Sequence, residues 1–448
     1  MDPGDERRDD SSGTAVSERR LPSEGVVARW LHGFRARADR GELPVWDILL
    51  LWGEAFLRWL HVIAGIAWIG SSFYFIHLDY SLKQREGLPA QAYGEAWQVH
   101  GGGFYNMVKY LVAPARMPED LTWFKWEAYA TWISGFVLMV AVYYASASLY
   151  LIDPAVLNIS PATGIAVSIA GLVLGWAVYD GLCRSALGRN ETVLAAVGFV
   201  FLVGLTYGCT LVFSPRGAFM QMGALIGTIM AANVLMIIIP GQRKVVADLI
   251  AGRMPDPVHG QRGKQRSTHN NYLTLPVVFV MISNHYPLAY ATRFNWVILA
   301  LTLIMGGVIR HFYNLRHQGL PSPWWTWAVA AACGLAIMWL SSLGPAEQPR
   351  QRGKRAEAPA AATPVSFKDV EDIVISRCSM CHAREPVWAG ITVAPKGVML
   401  DTPARIRANA REIAVNAVWT SAMPPSNVTQ ITPEEREMLA VWIASRRE

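Results

Sequence analysis

Arg377-Cys378-Ser379-Met380-Cys381-His382 contains the spacing Cys-x-x-Cys-His. Two thiols at that spacing can add to the two vinyl groups of a haem. The adjacent imidazole is then held where it can ligate the iron, so the pattern is that of c-type haem attachment. A zinc site would need two more Cys or His nearby, and residues 383–448 contain neither. A redox dithiol would not require the His. The second axial ligand of such an iron is expected to be a thioether, which raises its potential. Met423, in Ser421-Ala422-Met423-Pro424-Pro425, is the expected ligand, because two prolines stiffen the segment that carries it. Met399 is the alternative. Pro395 lies where its carbonyl is expected to accept the second N–H of His382.

A second set of chemistry-bearing residues lies in apolar sequence. Glu54, Arg58 and His61 stand at i, i+4 and i+7 and share one helix face. Trp68 is seven residues beyond His61, about 20° from that face. An Arg and His cluster below a Trp could hold a flat anion by charge and stacking. Alternatively, Glu54 and Arg58 form an interfacial ion pair. His61 and His77 are 16 residues apart, as are His269 and His285. Sixteen helical residues span about 24 Å, close to the ~30 Å hydrocarbon layer. Each pair thus puts one His near each membrane face, and His pairs on neighbouring helices can hold haem b. Two such His on one helix differ by about 160° around the axis, which argues against both pointing inward. The remaining readings are ligand contact, proton carriage or a satisfied core imidazole. His100-Gly101-Gly102-Gly103 would let backbone approach a ligand closely, or form a flexible turn.

The elements that must position these residues follow from composition. Of 448 residues, 52% are hydrophobic and 17% charged. That excludes general disorder and argues against a plain soluble globule. Apolar blocks lie at about 46–78, 127–152, 163–183, 191–213, 218–240, 272–290, 294–314 and 324–343. They predict about eight membrane spans, that is, an all-α polytopic bundle in a lipid bilayer. Eighteen Trp suit the bilayer interface. The net charge of +6 is read as loop charge, not as nucleic-acid binding. Residues 1–43 form a polar, Arg-rich tail with no apolar h-region, so no cleavable signal is expected. The membrane domain is expected over 44–343, a Pro- and Ala-rich linker over 344–365, and a small helical domain over 366–448.

That last domain should end in a helix with Thr432 as N-cap, Pro433 at N1 and Glu435 at N3. Another helix, with Phe367, Val370, Ile373 and Val374 on its apolar face, should lead into Cys378. Cys183, Cys209 and Cys333 are expected as small core residues. Six Lys and Arg between 241 and 268 place that loop in the cytoplasm, and three spans further on residues 344–448 are outside. The same count puts the N-terminal tail outside, against its eight Arg.

The stretch from Arg58 to Asp79, the His100-Gly101-Gly102-Gly103 segment and Thr268-His269-Asn270-Asn271-Tyr272-Leu273-Thr274-Leu275-Pro276 together resemble the membrane-bound urate oxidases (urate hydroxylases). The likeness covers about residues 45–445, and the charged tail 1–43 departs from it. It implies an eight-helix membrane domain joined to a cytochrome c domain in the bacterial inner (plasma) membrane, the cytochrome c domain being periplasmic. It implies oxidation of urate to 5-hydroxyisourate, with electrons leaving through covalent haem c to a soluble or membrane cytochrome c or a terminal oxidase. His61, Glu54, Arg58, Trp68 and His100 are the catalytic candidates, a His or Glu acting as base. Cys378, Cys381, His382 and Met423 would hold haem c, and His77, His269 and His285 a possible haem b. Asn270 and Asn271 could bond purine edges, although capping of the next helix is the favoured reading. No flavin, nicotinamide or copper motif is visible. The alternative class is a haem-bearing relay subunit of a respiratory complex, with no substrate site of its own.

Overall fold

The computed structural model describes residues 45–110, 114, 117–345, 365–389 and 391–446. The expected tail 1–43 and most of the expected linker 344–365 lie outside the described residues. The chain divides into two compact units, Met1–Ala55 and Phe56–Glu448. The described part of the first is the opening of helix α1.

Helix α1 (Val45–Ser81) is a single run of 37 residues. It carries Arg58, His61, Trp68 and His77, and it exposes Trp59, Leu60, Val62, Ile63 and Ile66. Exposed apolar side chains on a long helix suit lipid rather than water. A hairpin follows, which an all-α reading does not anticipate. Strands β1 (Ala92–His100) and β2 (Gly103–Tyr110) pair antiparallel, with His100 opposite Gly103. Gly101 and Gly102 form the turn at φ +59° and +80°. Two consecutive positive φ values make the tight turn that matches strand twist, and glycine adopts them without strain.

The bundle continues with α2 (Trp126–Leu138), widened into a π-turn at Met139–Tyr144, and the short α3 (Ala147–Tyr150). Helix α4 (Pro161–Arg184) starts at Ser160, whose hydroxyl accepts the Thr163 N–H. Helix α5 (Glu191–Thr210) starts at Asn190, which accepts two backbone N–H groups. Helix α6 (Pro215–Ala232) runs through a π-turn at Asn233–Ile238 into α7 (Ile239–Ile250). Then come α8 (Pro257–Ser283), the one-turn α9 (Pro287–Tyr290), α10 (Asn295–His317) and α11 (Trp325–Ser341).

Among the described residues, five helical stretches are long and apolar enough to cross a membrane: Ile48–Ser81, Pro161–Arg184, Glu191–Thr210, Pro215–Ile250 and Asn295–His317. Helix α11 is apolar but shorter, and the first half of α8 is polar. The segment 241–268 is not one loop, because α7 extends to Ile250 and α8 opens at Pro257. Arg266 is 2% exposed and paired with Asp180, so it does not count among the surface charges of that segment. Asn270 and Asn271 sit inside α8 and cap nothing.

Helix α6 is the centre of the packing. Phe219, Met222, Ile226 and Ile229 are buried in one cluster with Val280 of α8 and Ile298 and Leu299 of α10. Helices α8 and α10 meet at Pro276 and Gly306. A Cβ on Gly306 would lie 2.5 Å from Pro276 Cδ. Between helices in lipid such close approach supplies the attraction, since lipid tails are as apolar as the side chains.

Residues 366–446 build a small helical unit. Helix α12 (Phe367–Arg377) opens with a capping box of Ser366 and Asp369, and α15 (Pro433–Ser445) with one of Thr432 and Glu435. Between them lie α13 (Pro403–Ala408) and α14 (Ala410–Ile413), the latter continuing as a π-turn to Val418. Val370, Val374, Ile406, Leu439 and Trp442 form the core. Burying each such side chain contributes about 1.5–3 kcal/mol. The unit rests on the ends of the long helices. Ser421 N–H donates to Ala291 O at 3.0 Å, and the Ser426 hydroxyl to Leu149 O at 3.1 Å.

In this unit Asp401 accepts from Arg405 Nη1 at 2.6 Å and from the Arg384 N–H at 3.0 Å. These bonds, first that of Arg405, hold its carboxyl below the ordinary value of 3.8. A carboxylate favoured in the folded state contributes stability above its unfolded pKa and loses it as pH falls through the folded one. The Arg384 amide is therefore expected to be protected from hydrogen exchange at pH 6 and to lose that protection as pH drops below 3.8. In Asp401→Ala it should be unprotected at both. Equal protection factors in parent and variant at pH 6 would contradict this.

Candidate functional site

Helices α1, α2, α6 and α8 enclose a cavity of about 420 Å³, within the usual range of ~300–1,000 Å³ for small-molecule sites. Its wall is mostly apolar. The polar groups on it include Arg58 and His61 from α1, Thr131 from α2, Asn270 and Thr274 from α8, and Asn284 and His285 just beyond α8. Trp68, Trp132, Phe136 and Tyr143 supply the aromatic surface.

His61 of α1 is held from α2. Its Nδ1 lies 3.0 Å from Thr131 O and 3.1 Å from Ser134 Oγ. A carbonyl can only accept, so Nδ1 carries the proton and the neutral ring keeps its lone pair on Nε2. The Ser134 hydroxyl itself donates to Ala130 O at 2.6 Å. The ring packs on Gly135, where a Cβ would fall 2.7 Å from His61 Cε1. Three neighbours on one turn of α2 thus fix the tautomer and the orientation of one α1 imidazole.

At one end of the cavity, Asn284 Oδ1 accepts from Tyr143 OH at 2.9 Å and from Arg216 Nε at 2.6 Å. The Arg216 guanidinium lies over the Tyr150 ring, 4.7 Å from its centroid. Arg216, Tyr290, Ser421 and Met423 line one smaller pocket. Arg216 therefore bonds a cavity-wall residue on one side and lines the pocket of Met423 on the other. At the other end, Asn270 donates to Met230 O at 2.9 Å and accepts from Asn233 Nδ2 at 2.9 Å.

Of the residues singled out from sequence, Arg58, His61, Trp68 and His285 line this one cavity. Glu54 lies on α1, one turn before Arg58. His100 stands exposed at the hairpin turn, and the glycines beside it serve the turn. His77 packs edge-on against His317, centroids 4.7 Å apart. His269 meets Tyr179 OH at 2.7 Å and Glu191 at 3.4 Å. The imidazoles expected to form membrane pairs thus have different neighbours, and His61 and His285 are the two that share the cavity. Asn271 accepts from the buried Arg310 and from Asn314. Thr131, Ser134, Asn284 and Arg216 escaped sequence reading. Their signal was polar side chains within apolar stretches, which are costly unless partnered.

In the 366–446 unit, Cys378 caps the end of α12 and Cys381 follows three residues later. Burial pushes the Cys378 thiol up to about 12, against the opposing influence of Arg436. His382 Nδ1 donates to Val398 O at 2.9 Å, leaving Nε2 free of that bond. The expected acceptor, Pro395, is engaged in a tight turn, where its carbonyl accepts the Val398 N–H at 3.2 Å. Among the described residues, no group of three or more His, Cys, Asp or Glu is placed to hold a bare metal ion. Cys183 and Cys333 are buried core residues, and Cys209 lies against Met222.

The contact of Gly135 with His61 has a direct consequence. Gly135→Ala should push the imidazole off Thr131 O while α2 stays helical, since alanine favours a helix. Ligand binding at the cavity, read by quenching of Trp fluorescence, is expected to weaken about tenfold or more, with far-UV circular dichroism unchanged. Parent-like binding would show that His61 is not held by this packing.

Residues 47–341 match the family model described as Urate oxidase N-terminal. Neither the curated proteins nor the solved structures contain a match to the chain. The matched residues are more than half of the chain and include every wall residue of the cavity, and the chain accordingly belongs to the urate oxidase N-terminal family.

Proposed function

We propose that this chain is a membrane-bound urate oxidase. It takes urate into the α1/α2/α6/α8 cavity and delivers the electrons to a haem c held by residues 366–446. The observation that carries the reading is His61, fixed by Thr131 and Ser134 on the wall of a cavity that also presents Arg58 and four aromatic rings. The balanced reaction is urate plus water giving 5-hydroxyisourate, two protons and two electrons. A C5–O bond forms while one water O–H and one urate N–H are broken.

Each cavity group has a part in that reaction. Arg58 offsets the charge of the urate anion. Trp68 and Trp132 offer flat apolar faces to the purine. His61 Nε2 takes a proton from urate or from the attacking water, a role worth about 10²–10⁴-fold in rate. The apolar wall limits bulk water and strengthens these charge interactions.

Cys378, Cys381, His382 and Met423 are the residues that would hold haem c. Support comes from two thiols just past the end of α12 and from an imidazole whose Nδ1 is anchored on a carbonyl, leaving Nε2 for iron. A haem c held there would supply one-electron acceptance and onward transfer to a soluble or membrane cytochrome c or a terminal oxidase. The contacts of Ser421 and Ser426 with the helix ends hold the Met423 segment beside Arg216, and Arg216 bonds the cavity residue Asn284. The reading completes the five apolar stretches with α2, α8 and α11 as an eight-span bundle in a bacterial inner membrane. Residues 366–446 then lie on the outer side. A b-type haem in the cavity would be held by His61 and His285, the histidines that line it.

The test is an optical spectrum of the purified protein with and without urate. Urate is expected to reduce a covalently bound haem. His61→Ala should lower the rate of that reduction by about 10²–10⁴-fold while dithionite still reduces the haem fully. Absence of urate-dependent reduction in the parent protein would overturn the reading.

A further inference from the structure

The cavity's inner end meets a polar chain that the proposed reaction leaves unassigned. Asn270, on the cavity wall, accepts from Asn233 Nδ2 at 2.9 Å. Asn233 Nδ2 also donates to Tyr179 OH at 3.0 Å. Tyr179 OH lies 2.7 Å from His269 Nδ1, and His269 Nε2 lies 3.4 Å from Glu191 Oε2. The Glu191 side chain is 62% exposed. These residues come from four elements: Tyr179 from α4, Glu191 from α5, Asn233 from the π-turn after α6, and His269 and Asn270 from α8.

The donors give the chain one direction. The Tyr179 oxygen receives a hydrogen from Asn233, so its own hydrogen is free to go to His269 Nδ1. A neutral His269 accepting at Nδ1 carries its proton on Nε2, facing the Glu191 carboxylate. A hydroxyl, an imidazole and a surface carboxylate in line are the groups that proton relays through membranes use. Amides do not carry protons, so Asn233 and Asn270 need a mobile partner. Asn233 is fully buried, and its Oδ1 has no hydrogen-bond partner among the described residues. Arg266, 2% exposed, lies over the Tyr179 ring at 4.9 Å, and its Nε and Nη1 likewise lack one. Buried polar atoms in this condition are the partners that internal water takes up.

We propose that Tyr179, His269 and Glu191 form a proton exit from the cavity, reached through water held by Asn233 and Asn270. The proposal rests on the urate oxidase reading, in which each turnover releases two protons and two electrons. Asn270 and His285 are 15 residues apart on and just beyond α8, about 22 Å by helical rise. Electrons leave by the Asn284 and Arg216 end, toward Met423. Protons leave by the Asn270 end, toward Glu191. Each proton passes from the cavity base to the water, to Tyr179 as it yields its own proton to His269, and from His269 to Glu191 and bulk solvent. No bond other than O–H and N–H changes.

The test uses the full-length haem-loaded protein and urate-driven haem reduction in stopped flow. His269→Gln keeps a hydrogen-bonding side chain and cannot carry a proton. It is expected to slow haem reduction on the order of tenfold or more and to raise the solvent deuterium isotope effect. Urate affinity, read by Trp quenching, should stay at the parent value. His269→Gly should be slow and should recover with added imidazole, which a purely structural role would not allow. Tyr179→Phe should be slow without recovery. Parent-like rates in His269→Gln, or no imidazole recovery in His269→Gly with intact urate binding, would overturn the proton exit and leave the urate oxidase reading standing. A parent protein whose haem urate does not reduce would overturn both.

Discussion

A polar side chain between apolar helices has no water to turn to, so its partner must come from a neighbouring helix. The geometry of this protein depends on that requirement. His61 finds Thr131 and Ser134, Arg266 finds Asp180, Arg310 finds Asn271 and Asn314, and Arg216 finds Asn284. Each pairing ties two helices at a defined rotation, which apolar packing in lipid does not specify by itself. The cavity is enclosed by helices whose orientation such pairs fix.

The same requirement gives the cavity two distinct ends. Toward the 366–446 unit, a cation among tyrosines links Asn284 to the pocket that contains Met423. Toward Glu191, Tyr179 and His269 lie in line, with the Arg266 and Asp180 ion pair beside the Tyr179 ring. In the reading proposed above, oxidation of a small anion inside an apolar bundle would release electrons and protons, and the two ends offer each a different set of groups. The family membership and the cavity both belong to the 47–341 stretch, while the electron-accepting part of the reading rests on residues 366–446.

Local signals in the sequence matched the local structure closely. Long apolar runs became helices because they satisfy their own backbone hydrogen bonds within one segment. Thr432 and Glu435 formed their capping box, and Phe367, Val370, Ile373 and Val374 their apolar face, because both depend on residues three or four apart. The hairpin at 92–110 went unread although Gly101-Gly102 between aromatic and β-branched residues carries a turn signal. Its alternation was masked by the expectation of a loop between spans. Helix α8 was misread for a related reason: its first half is polar, yet it stays helical because Asp256 caps its start and its polar face is met by α4, the π-turn and α10.

Spacing along the chain set which residues share a face of one helix, and Arg58, His61 and Trp68, though not Glu54, line one cavity. It also singled out the Cys-x-x-Cys-His motif and the Met423 segment, since both are continuous in sequence. The partners across helices were beyond its reach. His61 and Thr131 are 70 residues apart, Tyr179 and His269 are 90 apart, and Ser426 and Leu149 are 277 apart. Only the packed bundle decides such meetings, because rotation and depth of each helix are set by its neighbours and not by its own periodicity. That is why sequence placed four histidines at two membrane faces, while tertiary structure decided that His61 and His285 share a cavity and His77 and His269 do not line it.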